Sequence, residues 1–410
     1  MNRRLKISIV AVFLCLGLAQ VIPAVLNAAT DTTGDLGRHW VVTRYILNRV
    51  DPYPVAFAAL RERYGLVAPA GPVHMKDTKI FTVPKTGPHP ETDATLGVPE
   101  AVYPPMAIMM LLPLGLLPVE LIRGLWLLVN LAFLFLVAYE LYVLTGTGAL
   151  HWFLILGLVA TWPASAYCIE REQFSLFALW CILAARRMEQ AHPVLAGLLY
   201  SISLLKPGLA VPFLLLPLLE RRVTVLASLV SLQVALLAAM SWLVQVNPIH
   251  LLREWLGVAS YFRQGMYTLQ DIINGLRLDG SLLDVVLQIT VLLAATFVSI
   301  KLTFQKRLAF LAVISCVWNY HALYDFVAML VAIALMTKAK MDRRWMLNAA
   351  ALCLVAIGLT MPIYHGSNST ARGMRWATRV SLVILVVTVH RTAFLATAPG
   401  NKFSLQPVVI

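Results

Sequence analysis

Long apolar runs carrying few charges recur along this chain, at residues 7 to 29, 121 to 144, 223 to 246, 281 to 300, 345 to 363 and 376 to 397. A helix that crosses the hydrocarbon core of a bilayer needs about 20 consecutive apolar residues, and each run meets that length. Further apolar stretches lie at 102 to 118 and 150 to 168, with shorter pairs between the later basic clusters. The pattern predicts an all-α, polytopic membrane protein in which residues 1 to 410 form one integral membrane domain.

Composition and charge add the topology. Of the 410 residues, 60% are hydrophobic and 13% charged, against about a quarter charged in an ordinary globular chain, and the mean hydropathy is +0.77. A net charge of +13 would point to nucleic acid in a soluble protein. Here the cations sit in short clusters between apolar runs, so the expected partner is the lipid bilayer and no nucleic acid. The clusters are Arg3/Arg4/Lys6, Arg186/Arg187, Arg221/Arg222, Lys301/Lys306/Arg307 and Lys338/Lys340/Arg343/Arg344, with only Glu189, Glu220 and Asp342 among them. Loops rich in Lys and Arg stay on the cytoplasmic side, which places all five there. Residues 29 to 101 instead balance eight Lys and Arg against eight Asp and Glu and are rich in Pro and Gly, as suits a large extracytoplasmic loop with an amphipathic helix. A second such loop is expected over 247 to 280, where the stretch from His250 to Gly257 suits the interface. The basic N-terminus reads as a cleaved signal or as an uncleaved first helix, and the many following spans favour the second. About twelve spans result, with both termini inside. That count requires one of the runs 102 to 118, 121 to 144 and 150 to 168 not to cross; the first is broken by Pro104, Pro105, Pro113 and Pro118. The five cysteines lie in apolar segments without CxxC spacing, so neither a disulfide nor a structural zinc is expected.

Two stretches of about thirty residues, between Arg187 and Arg221 and between Arg307 and Lys338, are flanked at both ends by cytoplasmic charge. Each must go out and return. Two arms of ~14 residues reach ~21 Å, short of the ~30 Å core, so the tips at Lys206-Pro207-Gly208 and at Asn319 to Asp325 should sit beneath the outer headgroups. Ionisable groups at that depth line water-filled cavities, and a cavity opening outward is expected; alternatively Lys206 snorkels and His321 bonds a carbonyl. Asp35 follows the first span directly and stands ahead of an amphipathic stretch beginning near residue 36. It reads as a helix N-cap, or, among Arg38, His39 and Arg44, as an ionised carboxylate facing the same cavity.

In chain order come Asp35, then Asp51-Pro52-Tyr53, then Tyr103-Pro104-Pro105 and Arg171-Glu172-Gln173, each opening an apolar run, then Lys206-Pro207 ending a short one. Over roughly residues 5 to 340 this succession resembles glycosyltransferase family 87, part of the GT-C superfamily of polyprenol-phosphate-sugar-dependent transferases, which includes polyprenol-phosphate-mannose-dependent α-mannosyltransferases. The resemblance implies a GT-C-type fold and an inverting hexosyltransferase of the cell envelope. Such an enzyme passes a sugar, mannose first among the candidates, from a polyprenyl-monophosphate donor to a hydroxyl of a glycolipid or glycan acceptor. It implies a cytoplasmic (inner) membrane location with the active site facing the periplasm or exterior. Asp35 would be the general base; Lys206, His321, Arg171 and Arg38 would stabilise the donor phosphate; and His39, Arg44, Tyr103, Glu172, Gln173, Tyr320 and Asp325 would line the substrate cavity. Two departures bear on substrate identity: Glu172-Gln173 stands where members commonly carry Gly-Gln, and the tip carrying Tyr320, His321, Tyr324 and Asp325 lacks the Pro-rich, Trp-containing form of many members.

Asp325, four residues after His321, would fix that imidazole's tautomer or simply pair with it along a helix. Glu172 would neutralise Arg171, or bind a divalent ion with Asp35, although two carboxylates are few for a metal site. Metal-independent catalysis without a cofactor is the expectation, with a divalent metal left open. Two rival readings carry their own marks. A secondary transporter or flippase for a lipid-linked or polar substrate also holds ionisable groups at depth, but usually with paired repeats that this sequence lacks; a non-catalytic scaffold would make the ordered motifs accidental.

Overall fold

The computed structural model describes residues 3 to 30, 35 to 56, 101 to 146, 148 to 262, 281 to 316, 318 and 323 to 337. All regular elements among them are helical. In chain order these are α1 (Arg3–Thr30), α2 (Asp35–Leu47), α3 (Pro105–Leu111) continued by a 3-10 turn (Leu112–Leu116), α4 (Val119–Thr145), α5 (Ala149–Thr161), α6 (Pro163–Glu170), α7 (Ser175–Met188) and α8 (Pro193–Ser203). Then follow α9 (Pro207–Ala210), a 3-10 turn (Val211–Leu214), α10 (Leu215–Leu219), α11 (Val223–Val244), α12 (Pro248–Phe262), α13 (Ser281–Ile300), α14 (Phe304–Ser315), a 3-10 turn (Leu323–Ala328) and α15 (Met329–Thr337).

Among the described residues three helices, α1, α4 and α11, are long and apolar enough to cross a membrane. Their outward faces leave Leu16, Leu18, Leu26, Leu128, Phe135, Val230 and Trp242 exposed, as helices immersed in lipid do. With the shorter apolar helices around them, the chain is a multi-pass membrane protein. Helices α5 and α6 form an apolar pair bent by 59°, the geometry of a broken span or of a re-entrant loop. Pro163 opens α6 and Trp162 is extended ahead of it, because a residue preceding proline is pushed out of the helical region. The runs 345 to 363 and 376 to 397 and residues 57 to 100 and 263 to 280 lie outside the described residues, and with them much of the expected twelve-span count and of the two outer loops.

The helical part of the 102 to 118 run is short. Seven α-helical and five 3-10 residues span only ~20 Å, and both of its ends touch α2. Tyr103 stacks on His39 at 4.4 Å, while the Arg44 guanidinium donates to Gly115 O at 3.2 Å and Trp40 Nε1 to Leu117 O at 2.9 Å. Gly115 is required there, since a Cβ would meet Leu47 Cδ1 at 2.9 Å. The segment thus runs along α2.

Close packing of the spans uses small residues, as in other membrane bundles. A Cβ on Gly17 of α1 would meet Ala160 Cβ at 2.7 Å, and one on Gly157 of α5 would meet Phe13 Cβ at 2.9 Å. Helix α7 runs through the centre, with Leu176, Leu179, Cys181, Ile182 and Ala185 fully buried. It joins two polar layers. At one end Ser175 bonds Asp325; at the other Arg186 pairs with Glu189 and, at 2.8 Å, with Glu220, while Arg187 pairs with Glu140 at 2.9 Å. Arg307 of α14 also reaches Glu220, at 3.6 Å, and Tyr200 O–H donates to Glu189 at 2.6 Å. Ser175 and Arg186 are eleven residues apart, about 17 Å of helix. That is well short of the ~30 Å hydrocarbon core, so the layers cannot both lie at the bilayer surfaces.

Candidate active site

Everything in the Ser175 layer is organised by the turn between α6 and α7. Helix α6 stops because Glu172 adopts the left-handed conformation, φ +55°. Glu172 N donates to Ile169 O at 3.1 Å and Gln173 N to Cys168 O at 2.9 Å, the pair of bonds that closes a helix C-terminus around a left-handed residue. Glycine is the usual occupant of such a position, and any other residue costs about 1–2 kcal/mol. Glu172 is held there by Arg123 of α4, whose Nε lies 2.8 Å from the carboxylate and whose other guanidinium nitrogen reaches Ala28 O at 3.3 Å. The reversed turn points Gln173 into the layer.

Helix α2 brings in the carboxylate. It buries Leu36, Val42 and Ile46, and Asp35 N donates to Arg171 O at 3.3 Å, pinning the start of α2 to the turn. The Asp35 side chain points to Gln173, whose amide nitrogen donates to Oδ2, and Oδ1 lies 3.7 Å from Arg38. Asp35 itself is the first residue of α2. Arg38 is largely open, at 42% side-chain exposure against 23% for Asp35.

Below Gln173 stands Lys206, which opens α9 at the hairpin tip. Its ammonium donates to the oxygen of the same Gln173 amide, lies 4.4 Å from the Tyr324 ring centre and 5.2 Å from that of Tyr103, and is 3.9 Å from Asp325. Aromatic faces and a carboxylate replace water around the cation. Lys206 is only 7% exposed, so the lysine lies in an enclosed seat rather than at the floor of the open, water-filled cavity that sequence alone predicted. Asp325 is fixed in turn by Ser175 Oγ–H at 2.7 Å, and the hairpin by Trp318 Nε1, which donates to Gly208 O at 2.6 Å.

His39 differs from expectation. It is a buried, neutral imidazole rather than a cation: burial above all, then the nearby charges of Lys206 and Arg38, pushes its pKa down to about 3. It stacks on Tyr103 and lies 5.5 Å from the Phe174 ring, and its Nε2 is buried without a hydrogen-bond partner among the described residues. A small cavity lies beside it, bordered by Val42, Ala101, Tyr103, Ile108 and Leu111. Tyr103 links this cavity to the polar line, since its O–H donates to the Gln173 oxygen at 3.3 Å.

Of the residues singled out from sequence, Asp35, Arg38, Gln173, Lys206, Asp325 and Tyr103 converge, with His39 at their edge. Arg44 is engaged with Gly115 and lies over the Trp40 ring at 5.5 Å. Arg171 contributes its carbonyl to Asp35 and stacks its guanidinium 5.4 Å from Tyr167. Tyr320 and His321 lie outside the described residues. Sequence reading missed Arg123, Ser175 and the enclosing role of Tyr324. Arg123 carried a usable signal, a cation inside an otherwise apolar run, because such a charge almost always has an interior partner.

The arrangement is a part-exposed carboxylate joined through one amide to a desolvated ammonium. It pairs a proton acceptor with a preorganised positive charge suited to a developing anion. In comparisons with known proteins, the family model described as Glycosyltransferase family 87 matches residues 101–337. No curated protein and no solved structure matches.

Proposed function

The chain belongs to glycosyltransferase family 87, and from that premise we propose that it moves a sugar, with mannose the first candidate, from a polyprenyl-monophosphate carrier to a hydroxyl of a glycolipid or glycan, with inversion at the anomeric carbon. That it is a glycosyltransferase follows from the family; the donor, the acceptor and the roles below are our reading. Asp35 takes the proton of the acceptor hydroxyl as its oxygen attacks the anomeric carbon. The bond from that carbon to the phosphate oxygen breaks, and polyprenyl phosphate leaves with an added negative charge. Arg38 meets that charge at the rim, and Lys206 acts from beneath, where low polarity strengthens its field. His321 belongs to the same proposal as a further phosphate ligand. No protein-bound metal or cofactor enters the scheme, although a divalent ion accompanying the donor is compatible with it. The reaction takes place on the extracytoplasmic face of the inner membrane.

The observation that carries this reading is the line Arg38, Asp35, Gln173, Lys206, which runs from an exposed cation through a carboxylate to a buried ammonium. The test uses the full chain in liposomes with synthetic polyprenyl phosphate bearing radiolabelled mannose and a total glycolipid extract as acceptor. The expected result is a labelled glycoside of inverted configuration, formed by the native chain and not by Asp35→Asn. A normally inserted Asp35→Asn protein that retains full transfer, or movement of label across the membrane without a new glycosidic bond, would sink the proposal.

A further inference from the structure

Gln173 offers two functions on one rigid group: its amide nitrogen is donated to Asp35, and its amide oxygen accepts from both Lys206 and the Tyr103 hydroxyl. A lysine can only donate, so its claim on the oxygen fixes which end of the amide faces Asp35. That end is a donor. It bonds an ionised carboxylate oxygen more strongly than the carbonyl oxygen of a protonated carboxyl. The residue itself is 2% exposed and follows directly on Glu172, so its direction is set by the backbone turn and by Arg123.

We infer that Gln173 is a positioning residue which holds Asp35 aimed for proton abstraction while keeping it out of a direct ion pair with Lys206. This inference rests on the reading of Asp35 as base and Lys206 as phosphate partner. A carboxylate joined directly to an ammonium would be a weaker proton acceptor. A neutral amide between them spares Asp35 that second cation beside Arg38, at 3.7 Å, while Asp325, at 3.9 Å, remains the carboxylate partner of Lys206. It engages Oδ2 and leaves Oδ1, on the Arg38 side, to take the proton from the acceptor hydroxyl. No bond to Gln173 forms or breaks in the reaction.

Three variants in the liposome assay, using the same labelled donor and lipid extract, test this. Gln173→Met keeps the volume and removes both hydrogen bonds. It is expected to lower kcat by ~10²-fold, the scale of a reacting group misplaced by about an ångström, with the donor KM changed much less. Gln173→Glu keeps the bond from Lys206 but turns a carboxylate toward Asp35. It is expected to move the acidic limb of the kcat/KM profile to higher pH, a change that a purely structural role would not produce. If the methionine variant does not insert, the glutamate variant carries the test alone. An unshifted pH profile in Gln173→Glu with native kcat overturns the inference, provided Asp35→Asn is inactive; an active Asp35→Asn overturns the underlying reading instead.

Discussion

Arg123 and Glu172 stand 2.8 Å apart across the interface between α4 and the turn that ends α6. The pair does for a glutamate what the lack of a side chain does for glycine: it makes a left-handed backbone tolerable at that one position. Arg123→Ala would take from Glu172, 2% exposed in its side chain, the cation that lies 2.8 Å from its carboxylate. Removal of one member of a buried pair typically costs about 3–5 kcal/mol. A large fall in unfolding temperature in detergent is expected. The double variant Arg123→Leu with Glu172→Gly, which removes both charges and supplies the residue the turn favours, should recover most of it.

Lys206 is enclosed closely enough to discriminate between cations. Lys206→Met is expected to reduce transfer at least ~10²-fold, the scale of losing one preorganised donor to a developing anion. Lys206→Arg should fail to restore it, because a planar guanidinium cannot fit the seat between the Tyr103 and Tyr324 rings as a compact ammonium does. Initial rates of the variants at matched insertion check both statements.

His39 should register in stability rather than in the rate profile. Its pKa in the fold, about 3, lies below the ordinary 6.5, so between those values the unfolded chain binds the extra proton and stability falls as the pH drops. Wild-type unfolding temperature should decline as pH is lowered from about 6.5 toward 4. In His39→Phe, which keeps an aromatic ring against Tyr103, the decline should be shallower; an identical slope in the two proteins would refute the assignment.

A second titration, of opposite sign, belongs to the junction between α12 and the end of the α2 region. Burial first, and the neighbouring Asp51 next, raise Glu254 to about 8 from an ordinary 4.5; burial raises Asp51 as well. A carboxyl raised in the fold contributes stability below its unfolded value and loses it as pH climbs through the folded one. Between about 4.5 and 8 this junction should therefore loosen with rising pH. His250, 3.0 Å from Glu254, and the Trp255 bond to Val102 O at 2.9 Å are placed to feel it. Trp255 fluorescence followed against pH should show the transition in the native chain and lose it in Glu254→Gln.

The sequence was most informative where composition alone decides. The run 121 to 144 lies within α4, 281 to 300 coincides with α13, and the amphipathic stretch near residue 36 is α2. The hairpin tip at Lys206 was legible from arithmetic on charge spacing, and Asp35, Gln173 and Lys206 from the order of short motifs. What stayed hidden needed three-dimensional partners. Nothing in the residues from Arg38 to Arg44 says that His39 turns inward and neutral while Arg44 turns toward Gly115, because the partners of both lie on the segment 101 to 117. Glu189 and Glu220, read as stray acids in basic loops, prove to be the knot that gathers Arg186, Arg222 and Arg307. The run 102 to 118 showed its prolines in the sequence, but not its two contacts with α2.

The unequal lengths of the helices have a consequence for the surrounding lipid. Helix α4, with 27 residues, is about 40 Å long, while α8, with 11, is about 16 Å, so the protein presents a tall flank and a low one to the same membrane. Lipids beside the low flank must shorten, tilt or kink their tails to match it, and the headgroup plane there will sag toward the hairpin tip. Swapping the host lipids for longer-tailed ones should work against that sag and leave a lipid-borne phosphate stranded higher above its seat, making membrane thickness itself a control on turnover.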